Sequence, residues 1–150
     1  MEIFRISNKK HSKKLSASGS ANRWNFDGQN VIYAGSSRSL STLELIVHKN
    51  AIKPKVEYKV MIISLADIDH LVKQIMIDDL PSNWRKMAAY SVLQKIGSDW
   101  YENQESLVLK VPSAVIPHEY NYIINTEHTK FSEHVQLVRI EDYFWDTRLF

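Results

Sequence analysis

The chain of 150 residues has no cysteine and only four glycines, and each shortage removes a class of chemistry. Without cysteine there is neither a disulfide framework nor a thiolate metal site, which fits a reducing compartment. Glycines at positions 19, 28, 35 and 97 draw neither a G-x-G-x-x-G fingerprint nor a Walker loop, so a Rossmann or P-loop nucleotide site is excluded. The six histidines form no H-E-x-x-H and no other ligand spacing, and no bound metal is expected. The serine-hydrolase sign G-x-S-x-G is also missing. No apolar run approaches the ~18 residues that span a bilayer. The opening M-E-I-F-R-I-S-N-K-K carries a Glu and an Arg among too few apolar residues for a signal peptide, so a cytoplasmic location with no membrane association is expected. The net charge of +2 is well short of a nucleic-acid signature.

What is present suffices for one ordinary core. With 44% hydrophobic residues, positions 1–150 are expected to form a single domain. Met1–Ile6 reads as an opening strand, Asn30–Gly35 as a short buried strand, and Lys55–Leu65, Glu105–Val111, Tyr120–Ile124 and His134–Ile140 as further strands. Leu40, Leu43, Ile46 and Val47 recur at helical spacing, which predicts a helix over Ser39–Asn50 with that stripe facing the core and Glu44 at its border. A second helix is expected to start at Leu80–Asn83, lean Trp84 on the sheet and stop at Gly97, with a helical turn and a connection before it over Asp67–Asp79. The irregular mixture of elements predicts an α+β fold rather than alternating βαβ units. Lys9, Lys10, His11, Lys13 and Lys14 lie in an expected exposed loop over Asn8–Ser20. That loop is either a solvated surface or an electropositive lip for an anionic ligand.

The most informative stretch runs from Ala21 to Val47. Its R-W-N at Arg23–Asn25, I-Y-A at Ile32–Ala34 and S-L-S-T-L-E at Ser39–Glu44 are followed by V-P-S-A-V-I-P at Val111–Pro117, N-Y-I-I-N at Asn121–Asn125 and D-x-R-L at Asp146–Leu149. In this order the motifs resemble RES-domain proteins over nearly the whole chain. These are bacterial toxins named for an Arg, a Glu and a Ser, and they are similar in fold to ADP-ribosyltransferases. The resemblance implies a mixed-sheet core with flanking helices and NAD as substrate. It also implies a partner antitoxin with an Xre-like helix-turn-helix domain, whose C-terminal region covers the active site and through which alone the toxin meets DNA. Two departures stand out: Asn22 replaces the glycine usual before the R-W-N arginine, and Ser41 replaces an alanine. A left-handed asparagine is expected to preserve the first turn.

The resemblance carries over Arg23, Tyr33, Glu44 and Ser113 as active-site residues, with Arg38 and Asn125 as further candidates. Cleavage of the nicotinamide–ribose bond of NAD passes through an oxocarbenium-like state, with a leaving group that departs neutral. Arg23 offers a planar fork to a phosphate, Tyr33 a ring face to the nicotinamide or its ribose, and Glu44 the anion where positive charge develops. Ser113 offers a hydroxyl to the ribose or the amide, Arg38 a second anion contact and Asn125 a polar wall. Structural alternatives exist for each. Arg23 can stack on an aromatic ring or pair with Asp27, and Tyr33 can be a core ring. Glu44 with Ser41 can form a capping box, and Ser113 can satisfy a turn. Three functions follow: an NAD-degrading toxin using water or phosphate, a protein ADP-ribosyltransferase, or a non-catalytic module binding nucleic acid or an acidic partner through the lysine loop.

Overall fold

Strand alternation organises the computed structural model, which describes residues 1–48, 56–146 and 148. Among the described residues seven strands form one mixed sheet: β1 (Glu2–Asn8), β2 (Val31–Gly35), β3 (Tyr58–Leu65), β4 (Val72–Gln74), β5 (Val108–Pro112), β6 (Tyr120–Asn125) and β7 (Val135–Asp142). Their order is β4-β5-β6-β2-β1-β3-β7, with every pair antiparallel except β4 with β5. The helices are α1 (Arg38–His48), α2 (Tyr90–Glu102) and the single turn α3 (Phe131–His134). The α+β expectation is met. Because side chains alternate across a strand, Ile32, Val108 and Ile124 join one core cluster, while Val31, Leu109 and Ile123 join another with Trp24, Leu93 and Trp100.

The sheet is weakest at its centre. The β1–β3 ladder registers seven pairs and the β2–β6 ladder five, but β1 meets β2 only at Phe4 opposite Gly35, so the strands part beside that contact. Helix α1 packs across this seam. Its start is fixed by Ser37, whose Oγ accepts the amide of Leu40 at 3.0 Å, as a capping hydroxyl does. Ser41 Oγ lies 2.8 Å from the carbonyl oxygen of Phe4, tying the helix to β1. Gly35 permits this approach, since a Cβ there would stand 2.5 Å from Ser41 Oγ.

That anchorage rotates α1 away from the expected stripe. Leu40 and Ser41 are buried and Glu44 and Leu45 half-buried, whereas Leu43 and Val47 are exposed. A polar serine therefore decides which face turns inward, and Glu44 points to the seam. The capping-box alternative for Ser41 and Glu44 is corrected by the same geometry, because Ser37 holds the helix start and Ser41 sits one turn inside.

The second helix also differs. Residues 80–89 are turns and a short 3-10 segment, and α2 begins only at Tyr90 and runs through Gly97. Gly97 is a close-approach residue rather than a stop: a Cβ there would lie 1.7 Å from the carbonyl oxygen of Trp24. Trp84 is buried as expected, but from the turn before the helix. The three-residue strand β4 inside 67–79 is an element the sequence reading missed, its side chains offering no alternation long enough to detect. The expected helix end at Asn50, the strand start at Lys55 and Leu149 of D-x-R-L lie outside the described residues. Among the described residues no helix is long and apolar enough to cross a membrane.

Candidate active site

Where β1 and β2 part, a cavity of about 210 Å³ opens, lined among others by Arg5, Arg23, Tyr33, Glu44, His48 and Asn121. Its anionic side is Glu44, whose side chain keeps only 16% of its exposure. Ser113 Oγ and Asn121 Nδ2 both donate to Oε1 at 2.7 Å, and His48 Nε2 lies 3.1 Å from Oε2. Burial pushes the carboxyl up, but the bonds from His48, Ser113 and Asn121 outweigh it and hold the group below its ordinary value, so it stays ionised.

The loop carrying Arg23 is held from three directions. Tyr33 donates its hydroxyl to Asn25 Oδ1 at 2.6 Å and accepts the amide of Trp24 at 3.1 Å. From α2, Gln94 Nε2 reaches the carbonyl oxygens of Asn22 and Asn25 at 2.9 and 3.3 Å. Asn22 accepts the Arg23 amide on its own side chain at 2.8 Å. It is not left-handed, since Gln104 is the only non-glycine with positive φ among the described residues. Asn22 thus holds the Arg23 amide with its side chain and not through a left-handed backbone, which corrects the expected backbone explanation. Burial pushes the Tyr33 phenol far up, so it remains a hydrogen-bond donor at all ordinary pH. Arg23 itself donates Nη1 to the carbonyl oxygens of Trp84 and Arg85 at 3.1 and 3.2 Å, with its guanidinium 4.7 Å from the Tyr90 ring centroid. The stacking alternative is realised on Tyr90, without Asp27, and Arg23 still borders the cavity.

Arg5 was not singled out from sequence. It sits on β1 at the seam, and its Nη1 donates to the carbonyl oxygen of Tyr33 at 3.0 Å, bridging strands whose ladder has stopped. Burial pushes its guanidinium below the ordinary arginine value. Among the described residues neither Arg5 nor Arg23 has a carboxylate within ion-pair distance, so both present uncompensated positive charge to the cavity. No sequence signal separates Arg5 from other strand arginines, because its meaning arises only where β1 leaves β2.

The remaining candidates divide. Ser113 is fully buried, gives its one proton to Glu44 and accepts the amides of Val115 and Ile116 at 3.0 and 3.1 Å. It orients the carboxylate and completes a turn, and it does not line the cavity. Arg38 faces outward, its Nε and Nη2 each 2.9 Å from a Glu141 oxygen and its guanidinium over Phe4. Asn125 is buried at the far end of β6, where its Oδ1 accepts the amide of Glu127 at 2.9 Å. The structure brings neither to the cavity. The lysine stretch does not form its lip either: Lys9 pairs with Glu57, and no residue of 8–20 lines it. Among the described residues no cluster of three or more His, Asp or Glu is placed to hold a metal ion.

The RES domain family profile matches residues 2–146. Among curated proteins, the chain is 35% identical to "Toxin Res" of Yersinia enterocolitica, covering 85% of this chain and 82% of that protein. It is 29% identical to "Toxin Res" of Photorhabdus laumondii over 99% of this chain and 97% of the relative. It is also 31% identical to "Prs ADP-ribosylating toxin" of a Sphingobium species, covering 85% and 79%. Among solved structures, the "M.tuberculosis MbcT-MbcA toxin-antitoxin complex" holds a chain of the same fold, with a TM-score of 0.77 at 18% identity, covering 95% of this chain and 83% of that one.

Proposed function

The chain belongs to the RES domain family, and from that premise we propose that it is the toxin of a bacterial toxin–antitoxin pair that degrades NAD by breaking its nicotinamide–ribose bond. The observation carrying this reading is a half-buried carboxylate, kept ionised by three side-chain partners, in a cavity that also holds two arginines without acidic partners among the described residues. The arginines suit the two phosphates of the dinucleotide. Glu44 suits the positive charge that grows on the ribose as the bond to C1′ breaks and nicotinamide leaves neutral. Water, or phosphate as the alternative acceptor, then bonds to C1′. With water the products are ADP-ribose, nicotinamide and one proton, and with phosphate the phosphate ester of ADP-ribose replaces the free sugar. Ser113 and Asn121 act through Glu44 as positioning residues, and Tyr33 acts by fixing the Arg23 loop at the cavity.

The partner in this reading is an antitoxin with an Xre-like helix-turn-helix domain that covers the cavity, so that DNA is met only through it. Positions 1–150 are read as one domain working in the cytoplasm. Incubation of the purified chain with NAD, with and without phosphate, tests the proposal. Free nicotinamide is expected, and its absence under both conditions refutes the reading. The name of the Sphingobium relative favours a second reading, transfer of ADP-ribose to a protein. Label that stays with protein after precipitation distinguishes it from label that ends in small products.

A further inference from the structure

We propose that His48 is a positioning residue for Glu44 and sets the acidic limit of the reaction, orienting the carboxylate as a neutral imidazole and cancelling its charge as an imidazolium. The inference rests on the reading that Glu44 faces the reacting sugar, and goes beyond it by assigning the pH response to one side chain.

The two carboxylate oxygens are held differently. Oε1 takes both uncharged donors, Ser113 and Asn121, at 2.7 Å each, whereas among the described residues Oε2 has only His48 Nε2, at 3.1 Å. The spacing of four places both residues on one face of α1, a turn apart, and the rotation imposed by Ser41 turns that face to the cavity, which His48 lines. The His48 side chain retains 35% exposure against 16% for Glu44, so protons reach it from solvent. Of the three donors it alone has a side chain able to carry charge, the serine hydroxyl and the asparagine amide being neutral. Among the described residues, the charged or titratable groups lining the cavity with it are Arg5 from β1, Arg23 from the loop before β2 and Tyr33 from β2, with Glu44 on its own helix. Arg5 keeps its charge throughout, and Tyr33 stays neutral.

A neutral imidazole with its proton on Nε2 fixes Oε2 without adding charge, leaving the full anion for the oxocarbenium-like state. An imidazolium in the same place is a cation competing with the sugar for one carboxylate. A plain helix pair of the same spacing would support α1 and leave the pH dependence of turnover unchanged.

The test follows nicotinamide release from NAD by the purified full chain between pH 5.5 and 9, in the wild type, H48Q and H48A, beside E44Q. Wild-type kcat is expected to rise with pH and level off. H48A should lose about tenfold or more in kcat with little change in KM, as expected of a misaimed catalytic group. H48Q, a neutral donor, should recover part of that loss and show a flat acidic limb. Retention of the wild-type rate and pH profile by H48A overturns the proposal, as do losses in both variants that only track lost helix content by circular dichroism. An inactive wild type refutes the reading of the site instead. In that case the contact is judged from the His48 ring-nitrogen NMR signal, which moves in E44Q if the pair exists and stays put if it does not.

Discussion

Arg38 and Arg5 lie on opposite sides of the same structural joint and have opposite electrostatic fates. Arg38, on the outer surface of α1, meets Glu141 through two parallel hydrogen bonds of 2.9 Å and covers Phe4. Arg5, on β1 inside the cavity, has one backbone carbonyl and, among the described residues, no acid. An arginine whose charge is already matched has little left for a ligand, while one desolvated against neutral dipoles favours an incoming anion. Arg23 belongs with Arg5, held by two carbonyl oxygens and a tyrosine ring. Across the cavity Glu44 shows the complementary arrangement, an anion held by donors of which only His48 can carry charge. Positive and negative groups thus share a hollow without neutralising each other.

The strongest way to break this comparison is to discharge its anionic side. Glu44→Gln is expected to reduce nicotinamide release by about 10²- to 10³-fold, the scale of losing a preorganised electrostatic contact, with an unchanged circular dichroism spectrum. A variant that unfolds instead would make Glu44 structural. Because the folded-state carboxyl is held below its ordinary value, its contribution to stability is present above the unfolded pKa and disappears as pH falls through the folded one. Acid titration should therefore show the wild type losing stability relative to Glu44→Gln in that acidic window and not near neutrality.

Next comes the cationic side. Arg5→Ala should weaken NAD binding by about 1.5 to 3 kcal/mol, as for a charged hydrogen bond, read by calorimetry on the inactive Glu44→Gln background. Equal affinity with and without the guanidinium would leave Arg5 as a strand bridge only. Gly97→Ala sharpens the comparison from outside the cavity. Its Cβ would displace Trp24, next to Arg23, so a stability loss of about 1 to 3 kcal/mol is expected from overpacking, with a raised KM in addition. The smallest effect is assigned to Arg38→Ala, which should leave nicotinamide release and affinity for NAD unchanged. A clear loss of binding there would erase the distinction between the two arginines.

Some of this architecture was legible in advance because it depends on neighbours along the chain. The apolar run of β2, the break at Gly35 and the helix after it are local, and so is the ordered set of motifs that marks the family. Arg38 was misjudged because its partner, Glu141, lies 103 positions away. Arg5 and His48 have nothing beside them in the chain that distinguishes them, and Asn121 stands out only as the start of N-Y-I-I-N, with no role attached.

By itself, then, the amino-acid order determined the kinds of element, the α+β class, the family and the charged groups available, since propensity, periodicity and motif spacing act over a few residues. Tertiary structure alone decided which groups share the hollow. The carboxylate is oriented by a serine 69 positions away and an asparagine 77 away, and the face that α1 turns inward follows from one serine packing against a glycine in β2. Such contacts depend on how strands part and helices seat, which no local pattern encodes.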